Sequence, residues 1–154
     1  MPDRILFVCT GNTCRSPMAE AIARSHLQRV GWTDIVVESA GVAATDGEDA
    51  SDGALVVTLE EGQDLSMHRA RLLTPALVDA ASLILVMGPR HLERVRAVGG
   101  GERAHLLTAY ASADSQALPV ADPFGGDLDT YRATYAELKG AVVAALARWH
   151  AARS

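Results

Sequence analysis

The feature that most constrains this chain is the alternation of short apolar runs with segments of helical pattern. Ile5–Val8 (ILFV), Ile35–Glu38 (IVVE) and Leu83–Met87 (LILVM) are too short for buried helices and carry little polar alternation. Such runs read as strands covered on both faces. Ser16–Val30 has Met18, Ala21, Ile22, Leu27 and Val30 on one helical face, with Ser16 as expected N-cap, Pro17 at the first helical position and Gly31 as the stop. Further helices are expected over Ser51–Gly62, Thr74–Ala81 and Pro89–Val98, and a long closing one over Asp129–Ala152, with Leu138, Val142, Leu146 and Trp149 at core spacing. A short fourth strand is expected at His105–Leu107, and long loops at Gly41–Asp52 and Tyr110–Leu128. This order predicts an α/β three-layer sandwich: a four-stranded parallel sheet with helices on both faces, in one domain spanning residues 1–154.

With 154 residues, 49% of them hydrophobic, the chain can bury a sizeable core. A net charge of −5 argues against a nucleic-acid partner. No apolar run is long enough to span a bilayer and the N-terminus lacks a signal-peptide pattern, so a cytoplasmic protein without membrane association is expected. Two cysteines do not make a disulfide scaffold at this length.

Both cysteines fall in VCTGNTCRSP, Val8–Pro17, directly after the first apolar run. In parallel sheets, ligands bind beyond the carboxyl ends of the strands, and Cys9 is at that end of strand one. A strand, a tight loop and a helix start form an anion site, because the first helical N–H groups lack internal partners and the helix dipole is positive there. Gly11 is expected to let the loop turn its amides inward. Arg15 adds a guanidinium that grips two oxygens at once. The same field would favour the thiolate of Cys9. Nest and nucleophile are then one device, with the thiolate attacking a phosphorus held by the loop and Arg15. Thr10, Gly11, Asn12, Thr13, Cys14, Arg15 and Ser16 are the candidate phosphate-binding residues.

Other chemistries fail on spacing. A nucleotide P-loop needs Gly-Lys-Ser/Thr, and Lys139 is the only lysine. A dithiol motif needs Cys-x-x-Cys, whereas four residues separate Cys9 from Cys14. The histidines His26, His68, His91, His105 and His150 are scattered, so no zinc site is expected. No metal or organic cofactor is implied.

The Cys-x5-Arg-Ser motif, here CTGNTCRS, resembles the low-molecular-weight protein tyrosine phosphatase family. So do ESAGV (Glu38–Val42), DLSMHRARLLT (Asp64–Thr74), LILVM and DPFGG (Asp122–Gly126), and the likeness covers nearly the whole chain. The resemblance implies a phosphocysteine mechanism on phosphorylated proteins, with inorganic phosphate as product and inhibitor. It makes Asp122 of the Asp-Pro pair the general acid and then the base; from the residues alone, a turn-capping aspartate is an equal alternative. It makes Asn12, Ser39 and His68 the residues that hold the loop's shape, and Ser16 a hydroxyl bonded to the thiolate. It implies that Cys9 and Cys14 can oxidise to a reversible disulfide; a small buried Cys14 is the alternative. Phe124 would wall the pocket, or else join the core. Arsenate reductases that share the opening motif relay through further cysteines, and none follows here. A phosphate-binding module without turnover also stays open.

Thr13, where tyrosine-specific relatives often carry Ile or Leu, looks like the protein-arginine phosphatase branch. A hydroxyl there can orient water or accept from a guanidinium nitrogen, and Asp122 and Asp127 would suit a cationic leaving group. Phosphoarginine is therefore expected ahead of phosphotyrosine, with Thr13 and Phe124 as specificity residues and aryl phosphates accepted as well.

Overall fold

A computed structural model describes residues 2–153. In chain order the elements are β1 (Asp3–Cys9), α1 (Arg15–Val30), β2 (Ile35–Gly41), α2 (Asp52–Glu60), α3 (Pro75–Ala80), β3 (Leu83–Val86), α4 (Pro89–Ala97), a short 3-10 turn (Gly101–Arg103), β4 (Ala104–Leu106), α5 (Leu107–Ser112) and α6 (Leu128–Ala152). The four strands form one sheet in the order β2-β1-β3-β4, and every pairing is parallel. The expected α/β architecture is what forms.

The period-two geometry of β1 divides the core. Ile5, Phe7 and Cys9 face a layer built from α1, α2, α5 and α6, through Met18, Ile22, Val57, Leu107, Leu138, Val142 and Leu146. Leu6 and Val8 face the opposite layer, which packs Val78 of α3 and Val95 of α4 against Ile84 and Val86. Covered on both sides from Ile5 onward, β1 carries only apolar residues from Ile5 to Val8. The chain leaves β1 toward β2 on one side and returns on the other as β3, so the carboxyl end of β1 lies at the switch point where ligands bind in such sheets.

Five expectations need correction. Helix α1 starts at Arg15, so Ser16 is not its N-cap. Cys14 takes that position and makes no side-chain capping bond. Pro17 is then the third helical residue, where its missing N–H still costs nothing, because that donor has no helical acceptor. Val30 is exposed rather than packed. The fourth strand ends at Leu106, and the expected loop from Tyr110 begins inside α5. A six-residue helix carries little intrinsic stability; tertiary contacts hold this one, since Arg148 of α6 lies over the Tyr110 ring at 4.4 Å and donates to the Tyr110 carbonyl at 2.8 Å.

Gly41 ends β2 opposite Cys9. A Cβ there would stand 2.5 Å from the Thr10 carbonyl oxygen and 2.8 Å from the Asn12 nitrogen, inside the loop that follows β1. Gly41→Ala should therefore lower stability by about 1–3 kcal/mol, as overpacking does, and also weaken inorganic phosphate binding. Leu138→Ala, far from the loop, should lower stability by about 2–5 kcal/mol and leave phosphate affinity unchanged. Chemical denaturation and phosphate titration of the two variants check this contrast.

Candidate active site

The site is organised around Asn12, which is fully buried and has a φ of 57°. Asparagine tolerates this left-handed region better than most residues. The turn expected at Gly11 is thus made at Asn12. Gly11 has no left-handed φ, and a Cβ on it would meet only the Thr13 hydroxyl, at 3.6 Å.

Every polar group of the Asn12 side chain is occupied. Nδ2 donates to Ser16 Oγ at 2.8 Å and to Ser39 Oγ at 2.9 Å, and Oδ1 accepts from the Arg71 amide at 3.0 Å. The Asn12 carbonyl accepts from His68 Nε2 at 2.7 Å. The network runs outward through Ser39, which donates to Glu20 at 2.7 Å. It runs inward through Ser16, whose Oγ lies 2.8 Å from Cys9 Sγ. Because Ser16 Oγ accepts from Asn12, its own proton has two acceptors, the sulfur at 2.8 Å and the Ala40 carbonyl at 3.5 Å, and the sulfur is the nearer.

Arg15 is the first residue of α1 and is buried. Its Nη1 donates to the Val120 carbonyl at 2.9 Å and its Nη2 to Thr10 Oγ1 at 3.3 Å. Its guanidinium is therefore held in place before any ligand arrives. Asp122 reaches the site from the other end of the chain. Val120 donates to the carbonyl of Met87, at the end of β3, at 2.9 Å. Asp122 follows, with Oδ2 at 3.6 Å from Arg15 Nη2 and Oδ1 accepting from the Phe124 amide at 3.0 Å. A turn closes the loop: the Gly126 amide donates to the Pro123 carbonyl at 2.8 Å, and Gly125 supplies the φ of 82°.

These residues line one cavity of about 270 Å³, bounded by Cys9, Thr10, Gly11, Thr13, Cys14, Arg15, Asp122 and Phe124 together with Ala43, Thr45 and Glu48. Phe124 is 72% exposed, so it forms a rim and not core. Asn12, Ser16, Ser39 and His68 lie behind the cavity as supports. Asp127 is corrected: it caps α6, accepting from the Thr130 amide at 2.8 Å, and does not line the cavity. The N-terminus of α1 has no side-chain cap, which leaves its first-turn amides to an anion.

A family model described as low molecular weight phosphotyrosine protein phosphatase matches residues 4–153. The chain belongs to that family. A protein-arginine-phosphatase of Geobacillus stearothermophilus is 39% identical over 141 residues, which are 90% of each chain. The low molecular weight protein-tyrosine-phosphatase PtpB of Staphylococcus haemolyticus is 37% identical, covering 88% of this chain and 91% of its own. A solved structure of the arginine phosphatase YwlE, a cysteine-to-serine mutant with a phosphorylated active site serine, superposes with a TM-score of 0.83 at 36% identity, covering 92% of this chain and 91% of the other. The chain is a phosphoprotein phosphatase.

Several parts of this phosphatase's site escaped the sequence. Cys14 Sγ lies 3.2 Å from Ser51 Oγ and 3.3 Å from the Tyr131 hydroxyl, and burial with that thiol contact pushes the Tyr131 phenol up to about 12. Gly53 makes room for this ring, since a Cβ there would touch it at 2.5 Å. Glu38 binds Arg4 at 3.0 Å and Arg71 at 2.9 Å. Partial burial opposes the Glu38 charge, but the hydrogen bonds from Arg71 and Arg4 prevail and keep its pKa below the usual range. Arg71 thus ties the loop support to β2 instead of lying free on the surface.

His91 of α4 is the other unforeseen element. It is buried, and its Nε2 lies 2.9 Å from Thr10 Oγ1. Its Nδ1 has no partner among the described residues. Burial first, and then the Arg15 charge, lower its pKa from 6.5 to about 4 against a smaller opposing pull from Asp122. Between those values the unfolded chain binds a proton that the folded chain refuses, so stability falls as pH drops from 6.5 toward 4. The loss should reach about 2–3 kcal/mol. Denaturation midpoints measured across that window should lose much of this slope in His91→Gln.

Proposed function

We propose that the chain hydrolyses phosphoarginine in proteins through a phosphocysteine at Cys9. The observation that carries this reading is the convergence of Cys9, Arg15, Asp122 and Thr13 on one cavity. The phosphoryl oxygens are held by the loop from Thr10 to Ser16 and by Arg15. The Cys9 thiolate attacks phosphorus; the S–P bond forms as the P–N bond breaks, and Asp122 gives its proton to the departing guanidinium nitrogen. Asp122, now a carboxylate, takes a proton from water, which attacks the phosphocysteine. The P–S bond breaks and Cys9 returns as thiolate, steadied by the Ser16 hydroxyl. Inorganic phosphate leaves and, by the same contacts, inhibits.

Thr13 is the proposed selector. Thr13 lines the cavity, its hydroxyl lies 3.7 Å from Cys14 Sγ, and its carbonyl is fixed by the Ser51 amide at 2.9 Å. Phosphotyrosine is the second reading, favoured by the exposed Phe124 ring at the rim, which can stack on a phenol. Cys14 is proposed as a resolving thiol: a peroxide would oxidise Cys9 to its sulfenic acid, and Cys14 would condense with it, releasing water. Both thiols are free and suit a reducing, cytoplasmic setting. No helix among the described residues is long and apolar enough to cross a membrane. The net charge of −5 speaks against nucleic acid as a partner.

Phosphate release from matched phosphoarginine and phosphotyrosine peptides tests the reading. The native chain should prefer phosphoarginine, Thr13→Ile should shift the preference toward phosphotyrosine, and Cys9→Ser should abolish release. Asp122→Asn should lower kcat by about 10²–10⁴-fold, the usual contribution of a general acid. A native preference for phosphotyrosine would overturn the substrate assignment. Release that survives Cys9→Ser would overturn the mechanism.

A further inference from the structure

An unpaired carboxylate is a poor neighbour for a phosphate, yet Glu48 lines the phosphate cavity. Its position is set by the backbone. The Glu48 amide donates to the Thr45 carbonyl at 3.3 Å, its carbonyl accepts from the Ala70 amide at 2.8 Å, and the Gly47 amide donates to the Ala70 carbonyl at 2.8 Å. The neighbouring acids are engaged elsewhere. Asp46 accepts from the Leu72 amide at 2.8 Å, and Asp49 pairs with Arg69 at 3.0 Å. The Glu48 carboxylate has no hydrogen bond or ion pair among the described residues.

The cavity's acidic and basic side chains are then Arg15, Asp122 and Glu48; with Asp122 carrying the proton it gives to the leaving nitrogen, Glu48 is the carboxylate that remains. Arg15 is committed to the phosphoryl oxygens, while Glu48, exposed and unpaired, adds a solvent-screened repulsion to an incoming phosphate. That arrangement favours a substrate whose phosphate enters together with a cationic group.

We infer that Glu48 is a specificity residue that accepts N–H groups of the substrate guanidinium and disfavours phosphate esters lacking a cation. This rests on the phosphoarginine reading above. Guanidinium–carboxylate contacts are charge-assisted, and a bidentate one adds directional selectivity that an aryl ester cannot satisfy.

Glu48→Gln keeps the shape and removes the charge. The kcat/KM for a phosphoarginine peptide should fall by about 3–10-fold, the range for a partly exposed charge-assisted contact. The kcat/KM for p-nitrophenyl phosphate should hold or rise. Inorganic phosphate should inhibit Glu48→Gln more tightly than the native chain, a readout that does not depend on which phosphoprotein is the substrate. Added salt should erode the native preference and leave that of Glu48→Gln nearly flat. Equal changes on both substrates, or unchanged phosphate inhibition, would overturn the role of Glu48. A native chain that prefers phosphotyrosine peptides would instead overturn the phosphoarginine reading, and with it the guanidinium contact.

Discussion

The left-handed turn at Asn12 is the constraint on which the site depends. A buried amide side chain holds that turn because each of its hydrogen-bonding groups is matched: two serines accept from it, and the Arg71 amide donates to it. Buried polar groups are costly when unmatched and stabilising when every bond is made. The network therefore has little freedom to relax. It fixes the path from Cys9 to Arg15, and through Ser16 it places a hydroxyl against the Cys9 sulfur. Gly41 completes the fit by letting β2 approach the loop closely.

Three separate parts of the chain converge on the cavity, and the sheet brings them together. The end of β1 gives Cys9, the start of α1 gives Arg15, and the segment after α5 gives Asp122. The link between them is the Val120 backbone, which bonds to Met87 at the end of β3 and to the Arg15 guanidinium. On the other side of the loop, Thr10 accepts from Arg15 and lies against a buried His91 that stays neutral well below its ordinary pKa. A neutral imidazole at this point leaves Arg15 as the buried positive charge that faces the phosphate. Glu48 and Asp122 line the same cavity.

Much of this was legible in the sequence, for physical reasons. The three apolar runs became β1, β2 and β3; β1 from Ile5 and β3 are apolar because they are covered on both faces, while edge strand β2 also has room for Glu38 and Ser39. The opening motif was legible because its glycine, arginine and cysteine spacing suits an oxyanion after a strand. The misreadings come from tertiary forces. Ser16 looked like a helix cap because Ser-Pro usually is one, but its hydroxyl is drawn to Cys9 and Asn12, and the cap and helix start lie two residues earlier. Gly11 looked like the turn residue, whereas Asn12 takes the strained angle because its side chain is bonded on all sides. Helix α5 was invisible because Arg148, thirty-eight positions away, holds it. His91, Glu48 and Tyr131 gave no local signal at all, since each reaches the site only through the packing of α4, the loop before α2, and α6.

The most direct measurement is to trap the intermediate. Asp122→Ala should form the phosphoenzyme and release it slowly. After mixing with a phosphorylated substrate and acid quenching, mass spectrometry of the peptide containing the loop should show one added phosphoryl group on Cys9. Its formation should vanish in Cys9→Ala. A phosphoryl group found on another residue, or none on any residue during demonstrable turnover, would contradict the central claim that Cys9 is the nucleophile.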